Sequence, residues 1–578
     1  MISLALLLGL LGLVPVVSGA ILILAARVLS RLVAAIWCGI VLLFSLLVVL
    51  FFIRLLAYGD TIQATAFAPA GWARWLQLSY QVDSFNIFGA MIVGVLASAA
   101  AAVLIALEPE QAPQQGPGEQ GNGAWQLGVL LIALGAVFTA IFANSALWMV
   151  VGWGMTSLCA FTLYIQGQSR KRASMLLAIP CISALILYLS LLPAISTLDD
   201  KRLDLLNGLG REPFWAALLM LAALLAPGVA LLSQQVIPTN APRQAGMSQI
   251  AIFVLMASPV TFTAFARLAL LIAGPGEVTP GNGSIGWQAY SLVVIWVCAA
   301  LALGAALLAM RAAQRVTLPL FLSVQLLSWM LAGVAITGTA ALNGALLFKL
   351  LRFLALGALL LAGGRKPAQP ILSMSWWLAA LALSALPFAA GFSSAWLITS
   401  GAAAAGPAWV AGVGVNWLAL LLVTLAIVRV GGAEPAPAAG APAPGLSSRP
   451  EPLPSFLTFL LALLALVIGI APEVAVNFFT GPAANALPVI ASQAPGAGVL
   501  TNQIGLLSAT GTWLPGLFWL LALVLLLLCF FLTRHARQPA SAPVFMGGEA
   551  EAVNAGDTIS ASPPQTEQAR EPESLPQS

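Results

Sequence analysis

Long apolar runs alternate with short polar breaks along this chain, and the runs have the length of a bilayer. A hydrocarbon core about 30 Å thick takes about 20 residues of α-helix to cross. Runs of that length fall at 3–25, 32–57, 85–107, 127–143, 147–165, 175–195, 214–232, 250–273, 290–310, 318–338, 340–363, 376–400, 407–428, 456–471 and 513–532. Most are apolar on every side, which suits helices that meet lipid or other helices all round. The pattern predicts an all-α polytopic membrane protein with 14 or 15 transmembrane helices.

The breaks set the predicted organisation: a transmembrane bundle over 1–430, a linker over 431–454, C-terminal transmembrane helices over 455–533 and a tail over 534–578. The linker is Pro/Ala/Gly-rich and reads as a flexible cytoplasmic tether. The tail is rich in Pro, Ser, Gln and Glu and cannot bury a core, so disorder is expected there. The loop 108–123 has the same character.

Composition supports this reading. Hydrophobic residues make up 61% and charged residues 7% of 578, against about 25% charged in a soluble domain. A water-soluble enzyme is excluded. The net charge of +4 gives no case for nucleic acid, but its distribution is informative, because basic residues near span ends stay on the cytoplasmic side. With the N-terminus outside, fifteen basic residues fall inside, from Arg27 and Arg31 to Arg570, and five fall outside: Arg54, Arg74, Lys201, Arg202 and Arg211. The remaining three, Arg267, Lys349 and Arg352, lie in or at the ends of spans. Residues 17–20 offer small side chains at a signal-cleavage position, but no basic region precedes the run, so a retained first span is favoured.

Candidate chemistry is sparse. Ionisable groups inside a bilayer are costly and mark function by default, yet all 19 acidic residues fall in loops, at span edges or in the tail. Lys349 lies well inside the 340–363 run, and Arg352 follows three residues later on nearly the same face. Lys349 reads as a proton carrier or as a lysine paired with backbone carbonyls or a neighbouring subunit; Arg352 reads as its companion or as a side chain extending to the interface. The sole histidine, His535, sits in a basic cluster after the last span and reads as a membrane-surface residue. Cys38, Cys159, Cys181, Cys298 and Cys529 stand singly in apolar runs and read as small core hydrophobes. No phosphate loop, metal-ligand cluster or nucleophile with a histidine partner is present in the sequence, so no catalytic centre, cofactor or metal is expected.

Four stretches in order resemble the antiporter-like membrane subunits of respiratory complex I and their Mrp-antiporter and membrane-hydrogenase relatives. Tyr80-Gln81-Val82-Asp83-Ser84-Phe85 is similar to the family's Val-Asp-Gly-Leu-Ser. Val151-Gly152-Trp153-Gly154, with Leu158-Cys159, is similar to Val-Gly-Trp-Glu with Leu-Cys. Phe348-Lys349-Leu350-Leu351-Arg352-Phe353-Leu354 resembles Phe-Lys-Ala-Leu-Leu-Phe-Leu, and Ala385-Leu386-Pro387-Phe388 through Phe392 resembles Gly-Leu-Pro-Pro-Phe-Ala-Gly-Phe. The resemblance covers roughly residues 80–400 and implies two inverted five-helix repeats and a place beside other membrane subunits in a prokaryotic cytoplasmic membrane.

The departures matter as much. In the family, a midplane line of ionisable groups carries protons and a glutamate–lysine pair switches its charge state. Here the glutamate position is Gly154, the first lysine falls at Pro227, the next histidine or lysine near Phe253 and the last lysine near Ala395. Lys349 alone remains. Ser233, Gln234, Gln325 and Ser328 could line a water path, but neutral groups do not reproduce the coupled titration of an ion pair. Pro227 and Pro387 interrupt spans, either as broken helices lining a polar path or as tolerated kinks. Three readings follow: a proton-translocation-type subunit of a complex I-like NADH:quinone oxidoreductase with impaired conduction, a structural spacer in such a complex, or an Mrp-type cation/proton antiporter subunit. The stretch 472–512 reads as too short and too rich in Pro and Gly for a long lateral helix.

Overall fold

The computed structural model describes residues 4–56, 62–67, 76–107, 122–165, 178, 181–189, 192, 260, 262–267, 285–312, 315, 318–363, 370–387, 389–432, 452–487, 500–501, 506–508 and 511–513. The chain divides into two units, Met1–Leu521 and Ala522–Ser578, and the second lies wholly outside the described residues. Among the described residues eight helices are long and apolar enough to cross a membrane, and a bent pair adds a ninth. The predicted run 214–232, all of 513–532 but Trp513, most of 250–273 and part of 175–195 lie outside the described residues.

The first five helices are α1 (Leu4–Leu24), α2 (Arg31–Leu56), α3 (Ser84–Leu107), α4 (Asn122–Phe142) and α5 (Ala146–Ile165). Helical segments 181–189 and 262–267 follow. Then come α6 (Ile285–Ala309), α7 (Leu318–Ile336), α8 (Thr339–Leu351), a π-helical turn Arg352–Leu356, and α9 (Gly357–Gly363). The remaining helices are α10 (Pro370–Ala382), α11 (Ala390–Ala405), α12 (Pro407–Gly432) and α13 (Pro452–Ile470), then α14 (Pro472–Ala475), a second π turn Val476–Thr480 and α15 (Gly481–Asn485). Most ends fall within a few residues of the apolar runs, because desolvation of the backbone forces helix wherever the side chains keep water away.

Burial orders the helices radially. In α1 and α2 only 39% of the core window is buried, and in α6 and α12 only 44%, whereas α7 reaches 94% and the α8–α9 span 100%. The outer helices carry the lipid-facing Leu, Ile and Val; α7 and α8 form the interior that holds both intramembrane cations.

Three features add to or depart from the sequence expectation. The run 376–400 is not one helix: α10 ends at Ala382 and α11 begins at Ala390, with Pro387 in the break. Proline supplies no N–H and clashes with the preceding turn, and the exposed backbone is satisfied locally. The Ala385 N–H donates to Thr424 Oγ1 on α12 at 2.9 Å, and the Leu386 N–H to Ser384 Oγ at 3.3 Å. The stretch after 471 does contain helix. Pro472 opens a new helix as an N-terminal proline does, and Pro472–Asn485 turns 102° from Ser455–Ile470. Strands also occur. β1 (Ile62–Phe67) pairs antiparallel with β2 (Leu78–Val82), with a register shift between Thr65 and Phe67. β3 (Leu500–Thr501), β4 (Leu506–Ser508) and β5 (Gly511–Trp513) form a small antiparallel sheet.

Glycine sets close helix contacts. α1 and α4 meet backbone to backbone at two places seven residues apart, where Gly19 faces Gly128 and Gly12 faces Gly135; a Cβ at Gly128 would lie 2.7 Å from the Gly19 carbonyl oxygen. Small residues permit such approach between membrane helices. Gly154 on α5, by contrast, has open space beside it. Gly128→Leu is therefore expected to destabilise the bundle by about 1–3 kcal/mol through overpacking, while Gly154→Leu leaves it unchanged. Thermal unfolding of the two purified variants checks this; equal melting temperatures would show that the α1–α4 contact is not tight.

Candidate functional site

The hairpin delivers an acid to the start of a span. β2 runs directly into α3, and Asn144, at the turn between α4 and α5, donates its backbone N–H to the Ser79 carbonyl at 2.8 Å. Asp83 follows β2 as the residue before α3. Its Oδ1 accepts the Asn86 N–H at 2.8 Å, a capping bond at the helix start. Its Oδ2 accepts Arg267 Nη2 at 2.8 Å and Gln81 Nε2 at 3.1 Å. The carboxyl side chain is 3% exposed and its arginine partner 10%, which makes this a buried ion pair, and it is the only one among the described residues.

Sequence reasoning placed Asp83 at a span edge and Arg267 in or near a span, without pairing them. They are 184 residues apart, and nothing in either local pattern connects them. The usable signal was Asp83 inside the quoted family motif.

Lys349 is fully buried on α8. Its ammonium sits over three phenylalanine rings, with Nζ 4.9 Å from the centroid of Phe85, 5.7 Å from Phe88 and 5.0 Å from Phe262. Phe85 and Phe88 come from the first turns of α3, and Phe262 from the segment that also carries Arg267. Gly89, one residue beyond Phe88, leaves the room the ammonium occupies, since a Cβ there would lie 3.1 Å from Nζ. Lys349 Nζ has no hydrogen-bond partner.

Arg352, 2% exposed, does not extend to an interface. It opens the π turn and donates Nη2 to Ser323 Oγ on α7 at 2.7 Å. Of the polar residues singled out as a water path, Gln325 is buried with both amide atoms unpartnered, and Ser328 returns its hydroxyl to the Val324 carbonyl at 3.0 Å. Gly154 lies on α5 and Ala395 is buried on α11. Pro227, Phe253, Ser233 and Gln234 lie outside the described residues. On another side of α8, a cavity of about 280 Å³ opens between α3, the π turn and α13, lined by apolar side chains such as Leu96, Phe353 and Leu464.

Breaking the Asp83–Arg267 pair strands a buried guanidinium, which costs about 3–5 kcal/mol. Asp83→Asn is expected to lower the unfolding temperature markedly, and Asp83→Asn combined with Arg267→Gln to recover part of the loss. A double variant no better than the single one in a thermal melt would show that the cap at α3, and not the ion pair, carries the effect.

No family model matches the chain and no curated protein matches it. Solved structures do. A chain of the Mrp complex from Dietzia sp. DQ12-45-1b superposes with a TM-score of 0.64 at 17% identity, covering 83% of this chain and 98% of that one. A chain of the membrane-bound sulfane sulfur reductase, an archaeal respiratory membrane complex, gives 0.64 at 16% identity, covering 93% and 86%. A chain of respiratory complex I from Thermus thermophilus with bound NADH gives 0.60 at 19% identity, covering 83% and 99%. The chain is thus an integral membrane protein with the antiporter-like fold of these membrane complexes.

Proposed function

We propose that this chain is a membrane-arm subunit of a complex I-like NADH:quinone oxidoreductase or a close relative, in which it keeps the proton-translocating fold but carries no proton path of its own. Its partners are the neighbouring membrane subunits and the bilayer, with the N-terminus outside and the tail in the cytoplasm. It has no catalytic centre; any redox chemistry belongs to other subunits.

One observation supports the loss of conduction: Lys349 Nζ is surrounded by three phenylalanine faces and has no hydrogen-bond partner. Proton transfer needs an acceptor at about 2.6–3.2 Å, directly or through one water. Aromatic faces stabilise the cation but accept no proton in that role. Gly154 in place of a carboxylate removes the family's usual partner as well. A second reading, conduction in the Mrp-type manner, is favoured by Asp83, a buried carboxylate at the start of the helix whose Phe85 and Phe88 meet Lys349. Against it, Oδ2 of Asp83 is committed to Arg267.

The two separate on one substitution. In proteoliposomes under an imposed membrane potential, followed with a trapped pH dye, Lys349→Met is expected to leave proton flux unchanged. A drop of about tenfold or more, equivalent to 1.4 kcal/mol in barrier height, would establish conduction through Lys349 and discard the spacer role.

A further inference from the structure

The cavity between α3, the π turn and α13 has no part in the reading above. Its volume is about 280 Å³, and every residue that lines it is apolar. The bend after α13 helps to form it: the chain turns by 102° after Ile470, so the helix Pro472–Asn485 leaves the line of α13, and its Ala475 and Phe479 become part of the wall. On the floor, Leu96, Phe353 and Leu461 are buried. Leu96 abuts the start of α9, where a Cβ on Gly357 would lie 3.1 Å from the leucine Cδ1. At the rim, Val95, Val467 and Phe479 are exposed, so the cavity opens on the outside of the bundle, where the bilayer is.

Its dimensions decide among occupants. Along α13 the lining runs from Leu461 to Ala471, about 15 Å of helix at 1.5 Å per residue. One leaflet contributes the same depth, half of a hydrocarbon core about 30 Å thick. A helix from a neighbouring subunit, about 10 Å across, would need about 1,200 Å³ over that length, about four times the space present. Water is no better, because an apolar cavity stays dry and takes apolar guests. A single hydrocarbon chain has the length, the width and the chemistry.

We propose that this cavity holds one acyl chain of a membrane phospholipid, with the headgroup at the Ala471 end, where the span terminates, and the chain between α3, Phe353 and α13. The lining offers a headgroup neither charge nor a hydrogen-bonding side chain, so the site recognises the hydrocarbon. The chain completes the apolar wall between the π turn and the bilayer. The site depends on the fold and not on proton movement, so its test is independent of the subunit's role.

The full-length protein in digitonin, whose rigid steroid body is too wide for the slot, is given phosphatidylcholine with a diazirine midway along one acyl chain, irradiated, and its labelled peptides mapped. In the wild type, labelling is expected to saturate, to be competed by unlabelled phosphatidylcholine, and to fall on the cavity residues of α3 and α13. Val95→Trp and Val467→Trp, which place an indole at the mouth from one wall each, are expected to cut it about tenfold, the effect of keeping about two methylene groups from burial. Val428→Trp, on the exposed face of α12, leaves it unchanged. Labelling that does not saturate, or that spreads evenly over the exposed faces, overturns the proposal, as does cavity labelling that both mouth variants leave in place. Absence of label at the cavity shows that something else covers it, such as the 513–532 run or a neighbouring subunit, and overturns it too. If neither mouth variant folds, saturation and mapping in the wild type decide.

Discussion

A charge in hydrocarbon must be matched or insulated within the reach of a few ångströms, and the interior of this bundle is arranged around that requirement. The Asp83–Arg267 pair is where it is met by an opposite charge. Much of the local architecture serves to put Asp83 in place: the β1–β2 register, the bond from Asn144 to Ser79, and the exit from β2 directly into α3. Asp83 then caps α3 through Asn86. A cap contributes about 1 kcal/mol, whereas an orphaned partner of a buried ion pair costs about 3–5 kcal/mol. The ion pair therefore dominates, and the cap aligns it.

Lys349 is handled differently. Cation–π contact contributes about 2 kcal/mol or more when desolvated, and three rings surround this ammonium. The arrangement stabilises the cationic form. A relay needs the reverse: two protonation states close in energy and a neighbour able to take the proton. Phe85 and Phe88 are presented by the same helix that Asp83 begins, so one helix start furnishes both the insulation of Lys349 and the acid that neutralises Arg267.

The membrane fold was legible in the sequence because apolar length in a bilayer dictates helix, and the ends of α1, α2, α3, α5 and α7 lie close to those of the apolar runs. The break between α10 and α11 was visible only as Pro387, since whether a proline kinks or splits a helix depends on what receives the freed N–H groups; here Thr424, 39 residues away in sequence, takes one of them. The short helix after Pro472 was not singled out in the sequence, because its start is marked only by a proline, which opens helices at the first position as well as breaking them further in. Lys349 and Arg352 stood out as intramembrane cations. Their surroundings did not, because Phe85, Phe88 and Phe262 are ordinary residues of apolar runs, and only tertiary packing converts them into a cage.

On the resemblance, the antiporter-like fold stands here without the family's line of ionisable groups, and there is a physical reason why it can. Contacts between α1 and α4 depend on glycines that let backbones touch, and α7 and α8 are held by burial of apolar side chains; neither depends on Gly154, Ala395 or the charges once expected there. Removing a paired acid and base together from a membrane interior removes a desolvation penalty along with an attraction, so the balance can be neutral. Removing only some of them leaves a remainder. On the resemblance that remainder is Lys349, and Arg352, outside the line, is a second buried cation on the same span. Aromatic faces insulate the first, and the Ser323 hydroxyl accepts one N–H of the second.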